Sequence, residues 1–287
     1  MILRAALSLE PDAQVRPITG GDISAAFRVE RPGLPDIFAK SHESPPAGMF
    51  EAEADGLAAL ANAADVDGIL LVPEVISVGP NHLALEWIGG RPDAGVPGDA
   101  SERLGRGLAR LHRHSSDSFG WHVDNWIGSL PQHNGRVGAE EGAGVFFAEQ
   151  RLMPQLEMAA LRGSLPPGTA NALEKVCSRL GELIPNEPPA LVHGDLWNGN
   201  WTEDGKGNPW IYDCAVSYNH RESELAFTRL FGGFPPSFYA AYDEEWPRAN
   251  GFEARVELWN LYPLLVHANL FGGSYGAQVA RIAHRWA

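Results

Sequence analysis

Leu191-Val192-His193-Gly194-Asp195-Leu196-Trp197-Asn198-Gly199-Asn200, followed after a Gly/Asp loop by Trp210-Ile211-Tyr212-Asp213, is the stretch that decides how this chain reads. Short apolar runs lead into each polar end, the pattern of strands that stop at turns. Asn200 follows Asp195 by five residues and Asp213 follows it by eighteen. Phosphoryl transfer from ATP asks for this inventory: one aspartate to orient and deprotonate an acceptor hydroxyl, and an amide with a second aspartate to hold Mg²⁺ against the phosphates. Oxygen ligands suit a hard cation that keeps several waters. Taken alone, an aspartate in a turn also fits a cap or an Asx-turn.

The order His193-Gly194-Asp195-Leu196, then Asn200, matches the catalytic-loop pattern of protein kinases with glycine in place of its arginine. The upstream residues extend the match. Ile37-Phe38-Ala39-Lys40 ends an apolar run in a lysine, placed to meet phosphates, and Phe50-Glu51-Ala52-Glu53 begins a helical segment that offers Glu53 as its partner. Thr19-Gly20-Gly21-Asp22-Ile23-Ser24 reads as a glycine turn between strands, so Gly20, Gly21, Asp22, Ile23 and Ser24 are candidates to cover the phosphates. Because the loop arginine is absent and no Ala-Pro-Glu follows Asp213, the spacing predicts a kinase that is competent without activation-loop phosphorylation.

The rest of the chain fits this frame. Strand-like runs at residues 25–29, 37–40, 75–78 and 83–87 surround one helical segment over about 50–64, where Leu57, Leu60 and Ala61 recur at helical spacing. Gly89 to Pro97 is rich in breakers and reads as a linker. Beyond it, Ser101 with Leu104, Leu108 and Leu111 predicts a capped amphipathic helix, and residues 145–161 and 169–183 predict two more. Leu258, Leu261, Tyr262, Leu265, Val266 and Asn269 predict one buried helix. The expected fold is therefore α+β and two-lobed: residues 1–89 as a small lobe with an antiparallel sheet and one helix, and residues 90–287 as a larger, mainly helical lobe.

Composition narrows the function classes. Among 287 residues, 22 basic and 36 acidic side chains give a formal charge of −14, which argues against a nucleic-acid surface. Lysine occurs only at positions 40, 175 and 206, so Lys40 is the one lysine of the first lobe. Cys177 and Cys214 make no disulfide framework. The first ten residues lack signal-peptide character, and no apolar run reaches the roughly 18 residues of a membrane span; a cytoplasmic protein is expected. His193 reads as a structural brace of the loop, His112 and His114 as surface residues, His267 as a core histidine, and Arg221 and Glu222 as a structural pair.

Val192 to Asn200 (VHGDLWNGN), His220 to Ala226 (HRESELA), Phe231 to Phe234 (FGGF), Phe238 to Tyr242 (FYAAY) and Leu261 to Tyr275 (LYPLLVHANLFGGSY) resemble the fructosamine kinase family, a branch of the aminoglycoside phosphotransferase and protein-kinase-like fold. Met49 to Leu57 (MFEAEADGL), Asn125-Trp126-Ile127-Gly128 and Phe146 to Leu152 (FFAEQRL) extend the likeness over nearly the whole chain, and Trp197 is its more specific mark. The resemblance implies an ATP- and Mg²⁺-dependent kinase that phosphorylates the sugar 3-hydroxyl of ketoamines, free or protein-bound, after which the adduct sheds its sugar. It implies Asp195 as proton acceptor, Asn200 and Asp213 as magnesium ligands, Lys40 on the phosphates and Glu53 orienting it. It also implies a hinge at Leu85-Glu86-Trp87-Ile88 whose backbone bonds adenine, and Trp197 against the substrate or walling the loop. Three residues depart from the family pattern. Cys214 stands where proline is usual, predicting a looser metal turn; Asn219 replaces a glycine, predicting an altered turn; and Asp22 replaces a cysteine tied to redox-controlled dimerisation, so no such switch is expected. The competing readings are an aminoglycoside or choline kinase, which would share the catalytic set, and a nucleotide-binding pseudokinase scaffold.

Overall fold

Apolar runs too short for helices pair, in the first ninety residues, into one antiparallel sheet. The protein is described by a computed structural model over residues 2–19, 23–64, 68–89 and 99–287. A short helix α1 (Ile2–Ala6) precedes strands β1 (Gln14–Ile18), β2 (Ala25–Glu30) and β3 (Ile37–Ser41), the long helix α2 (Met49–Ala64), and strands β4 (Val75–Gly79) and β5 (His82–Glu86). The strand order is β1-β2-β3-β5-β4, with every neighbouring pair antiparallel. Strand alternation does the positioning. Ile37 and Ala39 pack with Leu3, Val29 and Ala84 in a small cluster, so Phe38 and Lys40 are sent to the opposite face, where Phe38 meets the main core that also holds Phe50, Leu57 and Leu60 of α2.

Sequence pattern alone does not reveal β1. Pro17 sits inside it and most of its residues are exposed, which is tolerable because β1 is an edge strand whose outer backbone groups face water. The glycine turn at residues 20–22 and most of the expected linker, residues 90–98, lie outside the described residues.

The second lobe opens with α3 (Ala100–Leu111), capped by Asp99 and not by Ser101: Asp99 Oδ1 accepts the Ser101 N–H at 2.9 Å. Small paired strands follow, β6 (Ser118–Phe119), β7 (Asn125–Ile127), β8 (Leu130–Gln132) and β9 (Val137–Gly138), then α4 (Ala143–Phe146), a π-helical turn (Phe147–Leu152), α5 (Met153–Arg162) and α6 (Thr169–Leu183). Strands β10 (Ala190–Val192), β11 (Trp201–Glu203), β12 (Pro209–Ile211) and β13 (Ser217–Asn219) carry the polar motif, with β10 paired to β13 and β11 to β12. Helices α7 (Arg221–Phe227), α8 (Pro236–Glu245), α9 (Phe252–Trp259), α10 (Leu261–Phe271) and α11 (Tyr275–Trp286) complete the lobe. Helices α3 and α8 approach so closely that a Cβ on Gly105 would fall 2.2 Å from the Phe238 carbonyl oxygen.

The single helix expected across residues 258–269 is two helices broken at Asn260. Pro263 has no N–H to offer the Trp259 carbonyl, and its ring crowds that carbonyl, so the ladder stops there. Among the described residues, no helix is long and apolar enough to cross a membrane.

Candidate active site

Sheet and helices deliver the candidate groups to one cleft. Lys40, on β3 at the centre of the sheet, and Glu53, on the first turns of α2, are both only 8 % exposed. Lys40 Nζ lies 2.5 Å from Glu53 Oε2 and 2.8 Å from Asp213 Oδ1, spanning from the first lobe to the second. Burial opposes the lysine charge, yet the Asp213 and Glu53 carboxylates outweigh it and raise the Lys40 pKa. Burial also pushes the Glu53 carboxyl up to about 7 against the pull of Lys40, whereas the Lys40 ammonium holds Asp213 below the usual carboxylate range.

On the other side, the loop after β10 folds over itself. Asn200 Nδ2 donates to the Asp195 carbonyl at 2.8 Å, to Asp195 Oδ2 at 3.0 Å and to the Asp213 carbonyl at 3.3 Å. One amide thus ties both aspartates together. Burial, with the Asp213 charge nearby, raises the Asp195 pKa well above that of an ordinary aspartate. With Nδ2 committed, Asn200 keeps its amide oxygen, and Asp213 keeps Oδ2 because Oδ1 is spent on Lys40. These two hard oxygen donors fit a cation such as Mg²⁺ that retains water and phosphate ligands. Asp213 adopts φ +63.

Gly194 is required by its backbone: φ is +84, and a Cβ would fall 2.0 Å from the Ala215 carbonyl oxygen. The arginine of protein kinases therefore has no room here. His193 braces the loop as expected. The Asp195 N–H donates to Nδ1 at 3.3 Å, which leaves Nε2–H to donate to the Tyr212 carbonyl at 2.9 Å. Burial keeps this ring's pKa low.

A fructosamine kinase profile matches residues 6–286. The chain belongs to the fructosamine kinase family. A Synechocystis relative, a probable ketoamine kinase, is 40 % identical over 273 residues, covering 93 % of this chain and 88 % of its own. The crystal structure of a candidate fructosamine-3-kinase from Thermobifida fusca superposes with a TM-score of 0.82 at 37 % identity, covering 99 % of this chain and 97 % of the other. The choline kinase LicA of Streptococcus pneumoniae, at a TM-score of 0.58 and 14 % identity over 99 % of this chain and 96 % of its own, shares the fold. The α+β, two-lobed, protein-kinase-like architecture is thus shared with the family structure and with the fold of LicA, and this family member is a kinase.

Ile23 approaches the second lobe: a Cβ on Gly128, in the turn between β7 and β8, would come within 2.9 Å of Ile23 Cδ1. Ser24 Oγ is buried and has no hydrogen-bond partner among the described residues. Gly20, Gly21 and Asp22 lie outside them, and with them the expectation about a redox switch. At the hinge, the Glu86 N–H already donates to the Glu74 carbonyl at 2.9 Å, Glu86 Oε2 accepts the Glu74 N–H, and Arg28 stacks on Trp87 at 4.8 Å. Trp197 is 39 % exposed and covers Gly199, where a Cβ would meet the indole ring at 2.4 Å.

Two departures from the family pattern are absorbed. Cys214 does not loosen its turn: it is buried against α2, where a Cβ on Gly56 would lie 2.9 Å from its sulfur, and the backbone on both sides is held by Tyr212 N–H to the Asn200 carbonyl and Ala215 N–H to the His193 carbonyl. Asn219 completes β13 and its Oδ1 accepts the His220 N–H at 2.8 Å.

The expectation for His112 is overturned. It is 1 % exposed, its Nε2–H donates to Glu224 Oε2 at 2.8 Å, and Nδ1 accepts from the Tyr242 hydroxyl at 2.8 Å. Glu224 in turn accepts the N–H of His193 at 3.2 Å and of Gly194 at 2.7 Å. Burial opposes ionisation of Glu224, but these donors hold its pKa below the usual range. The loop that carries Asp195 is therefore hung from a carboxylate on α7 that the sequence pattern does not reveal. His114 is only half-buried. Arg221 pairs with Glu187, and Glu222 with Arg255 and Trp259, both as structural contacts. His267 donates Nδ1–H to the Pro263 carbonyl among Phe231, Phe271 and Tyr275.

Proposed function

We propose that this protein uses ATP to phosphorylate the 3-hydroxyl of the sugar chain of ketoamines such as ribulosamine, fructosamine or erythrulosamine adducts, and so initiates deglycation. The observation that carries the reading is the tie of Asp195, Asn200 and Asp213 across one cleft to Lys40, in a chain of the fructosamine kinase family.

Asp195 accepts the proton of the acceptor hydroxyl. A base works best when its pKa lies near the working pH, and burial moves Asp195 in that direction. Lys40, oriented by Glu53, contacts the phosphates, and the backbone from Glu86 to Ile88 receives adenine. Asn200 and Asp213 would hold Mg²⁺, which neutralises charge on the phosphates when bound. Ile23 and Ser24, with the glycine turn of residues 20–22 that lies outside the described residues, are the candidates to cover the phosphates. The acceptor enters beside Trp197, and a cavity lined by Asp195, Ser217, Asn219, Tyr262 and His267 lies within reach of the base. The acidic composition, with a formal charge of −14, is compatible with cationic amine adducts.

Incubation with Mg-ATP and a panel of ribulosamine, fructosamine, choline and kanamycin tests this reading. Transfer to one or both ketoamines is expected. Transfer to kanamycin or choline but to neither ketoamine would replace it with the aminoglycoside or choline kinase reading, and nucleotide binding without transfer would favour a scaffold.

A further inference from the structure

Helix α2 carries Glu53, and its height and rotation decide whether Glu53 meets Lys40. Three contacts within one helical turn set them. Glu53 reaches Lys40. Gly56, on the same face one turn later, sits where a Cβ would lie 2.9 Å from Cys214 Sγ and 3.0 Å from Val216 Cγ2, so only glycine lets the helix rest on that strap. Asp55, off that face, is grasped by the second lobe: Trp121 Nε1–H donates to Asp55 Oδ2 at 2.7 Å, and His122 Nε2 lies 3.2 Å from the same oxygen.

Trp121 is itself fixed to the catalytic framework. Its N–H donates to the Asn134 carbonyl, and the preceding Gly120 exchanges two backbone hydrogen bonds, at 2.9 and 2.8 Å, with Tyr218 of β13. The indole packs on the Tyr218 ring at 5.5 Å. Strand β13 pairs with β10, the strand that enters the Asp195 loop.

We infer that Asp55 and Trp121 form a latch that holds α2 in its active position from the second lobe, as positioning residues for the Lys40–Glu53 pair. The inference rests on the reading of Lys40 and Glu53 as phosphate-positioning groups.

The test compares Asp55→Ala, Trp121→Phe and Asp55→Asn with the parent protein by amide hydrogen exchange without substrate and by ketoamine kinase assay. Trp121→Phe keeps the ring stack, and Asp55→Asn keeps an oxygen that accepts from Trp121. Loss of one charge-assisted hydrogen bond predicts that Asp55→Ala and Trp121→Phe speed exchange across residues 50–56 by roughly tenfold, leave α8 unchanged, and lower kcat by a similar factor at unchanged ketoamine KM. Asp55→Asn should stay close to the parent in both readouts. Unchanged exchange in residues 50–56, or faster exchange spread over the whole chain with parental kcat, overturns the latch. Because exchange is read in the free protein, the latch is judged even if the parent phosphorylates no ketoamine, a result that counts against the substrate reading alone.

Discussion

Asp195→Asn should lower kcat by roughly 10²–10⁴-fold, the usual worth of a positioned general base, while nucleotide binding and the melting temperature are maintained. The second half of that expectation follows from the direction of the Asp195 shift. A carboxyl whose pKa is raised in the folded state binds its proton more tightly there than in the unfolded chain, so its contribution favours folding at low pH and weakens as pH rises past the unfolded value. At neutral pH the buried charge works against the fold, and an amide removes that cost. Its oxygen can still accept from Asn200 Nδ2, as Asp195 Oδ2 does at 3.0 Å. In the parent protein, kcat/KM should fall as the pH is lowered through the raised Asp195 pKa. Steady-state kinetics against pH, nucleotide titration and thermal unfolding check the three parts. A variant that loses nucleotide binding and melts early would show that Asp195 holds the loop together and is not chiefly a base.

Glu224→Gln should have the largest effect on stability of any conservative change near the cleft. The Glu224 carboxylate accepts from His112 Nε2 and from the backbone N–H of both His193 and Gly194. An amide offers one oxygen and two donors, so at least one of these three N–H groups faces another donor in a site that is 3 % exposed. Breaking a buried, hydrogen-bonded charge site of this kind costs about 3–5 kcal/mol. The loop that carries Asp195 is the part left unsupported, so kcat should fall together with the urea midpoint. Acid provides an independent check. Because the Glu224 pKa is depressed, its stabilisation is present above the unfolded carboxyl pKa and is lost as pH falls through the folded value; the acid limb of the stability profile should be shallower in Glu224→Gln. Parental stability and turnover in this variant would mean the loop is held elsewhere, with the backbone bond from Ala215 to His193 the next candidate.

These two expectations differ in how far they could be read from the chain itself. Asp195, Asn200 and Asp213 are legible as a group because they lie within one local segment whose turns bring them together. Lys40 is legible because it is the only lysine of the first lobe and ends an apolar strand, and Glu53 because it opens the one long helix beside that strand. Glu224 and His112 stand 112 residues apart and meet only through tertiary packing. His112 follows a helix whose pattern gives no sign that its last turn is covered by Tyr242 from α8. Asp55 and Trp121 are likewise joined across the lobes, with no periodicity linking them. At the level of the fold, helical spacing across residues 258–269 is a true signal of burial, but the helix break at Asn260 depends on the backbone consequence of Pro263. Strand β1 is hidden for the converse reason: an edge strand needs little apolar surface, so its sequence carries little pattern.

The departures from the family pattern teach a related point. Cys214 in place of a turn-forming proline looks damaging when the turn is read alone. In the folded chain the turn is anchored by Asn200, His193 and α2, so the thiol acts as a small apolar contact beneath the Lys40–Glu53 pair.

In the proposed reaction, Asp195, Asn200, Asp213 and Lys40 together transfer phosphate to one hydroxyl of a ketoamine sugar. Nuclear magnetic resonance of the product formed from ribulosamine and Mg-ATP, with ³¹P–¹H correlation to locate the ester and a time course to follow sugar release, tests it most directly. Phosphate is expected on the oxygen of C3, after which 1,2-enolisation expels inorganic phosphate from C3 and water releases the free amine and a 3-deoxy dicarbonyl sugar. Phosphate on another hydroxyl, in an adduct that remains intact, would contradict it.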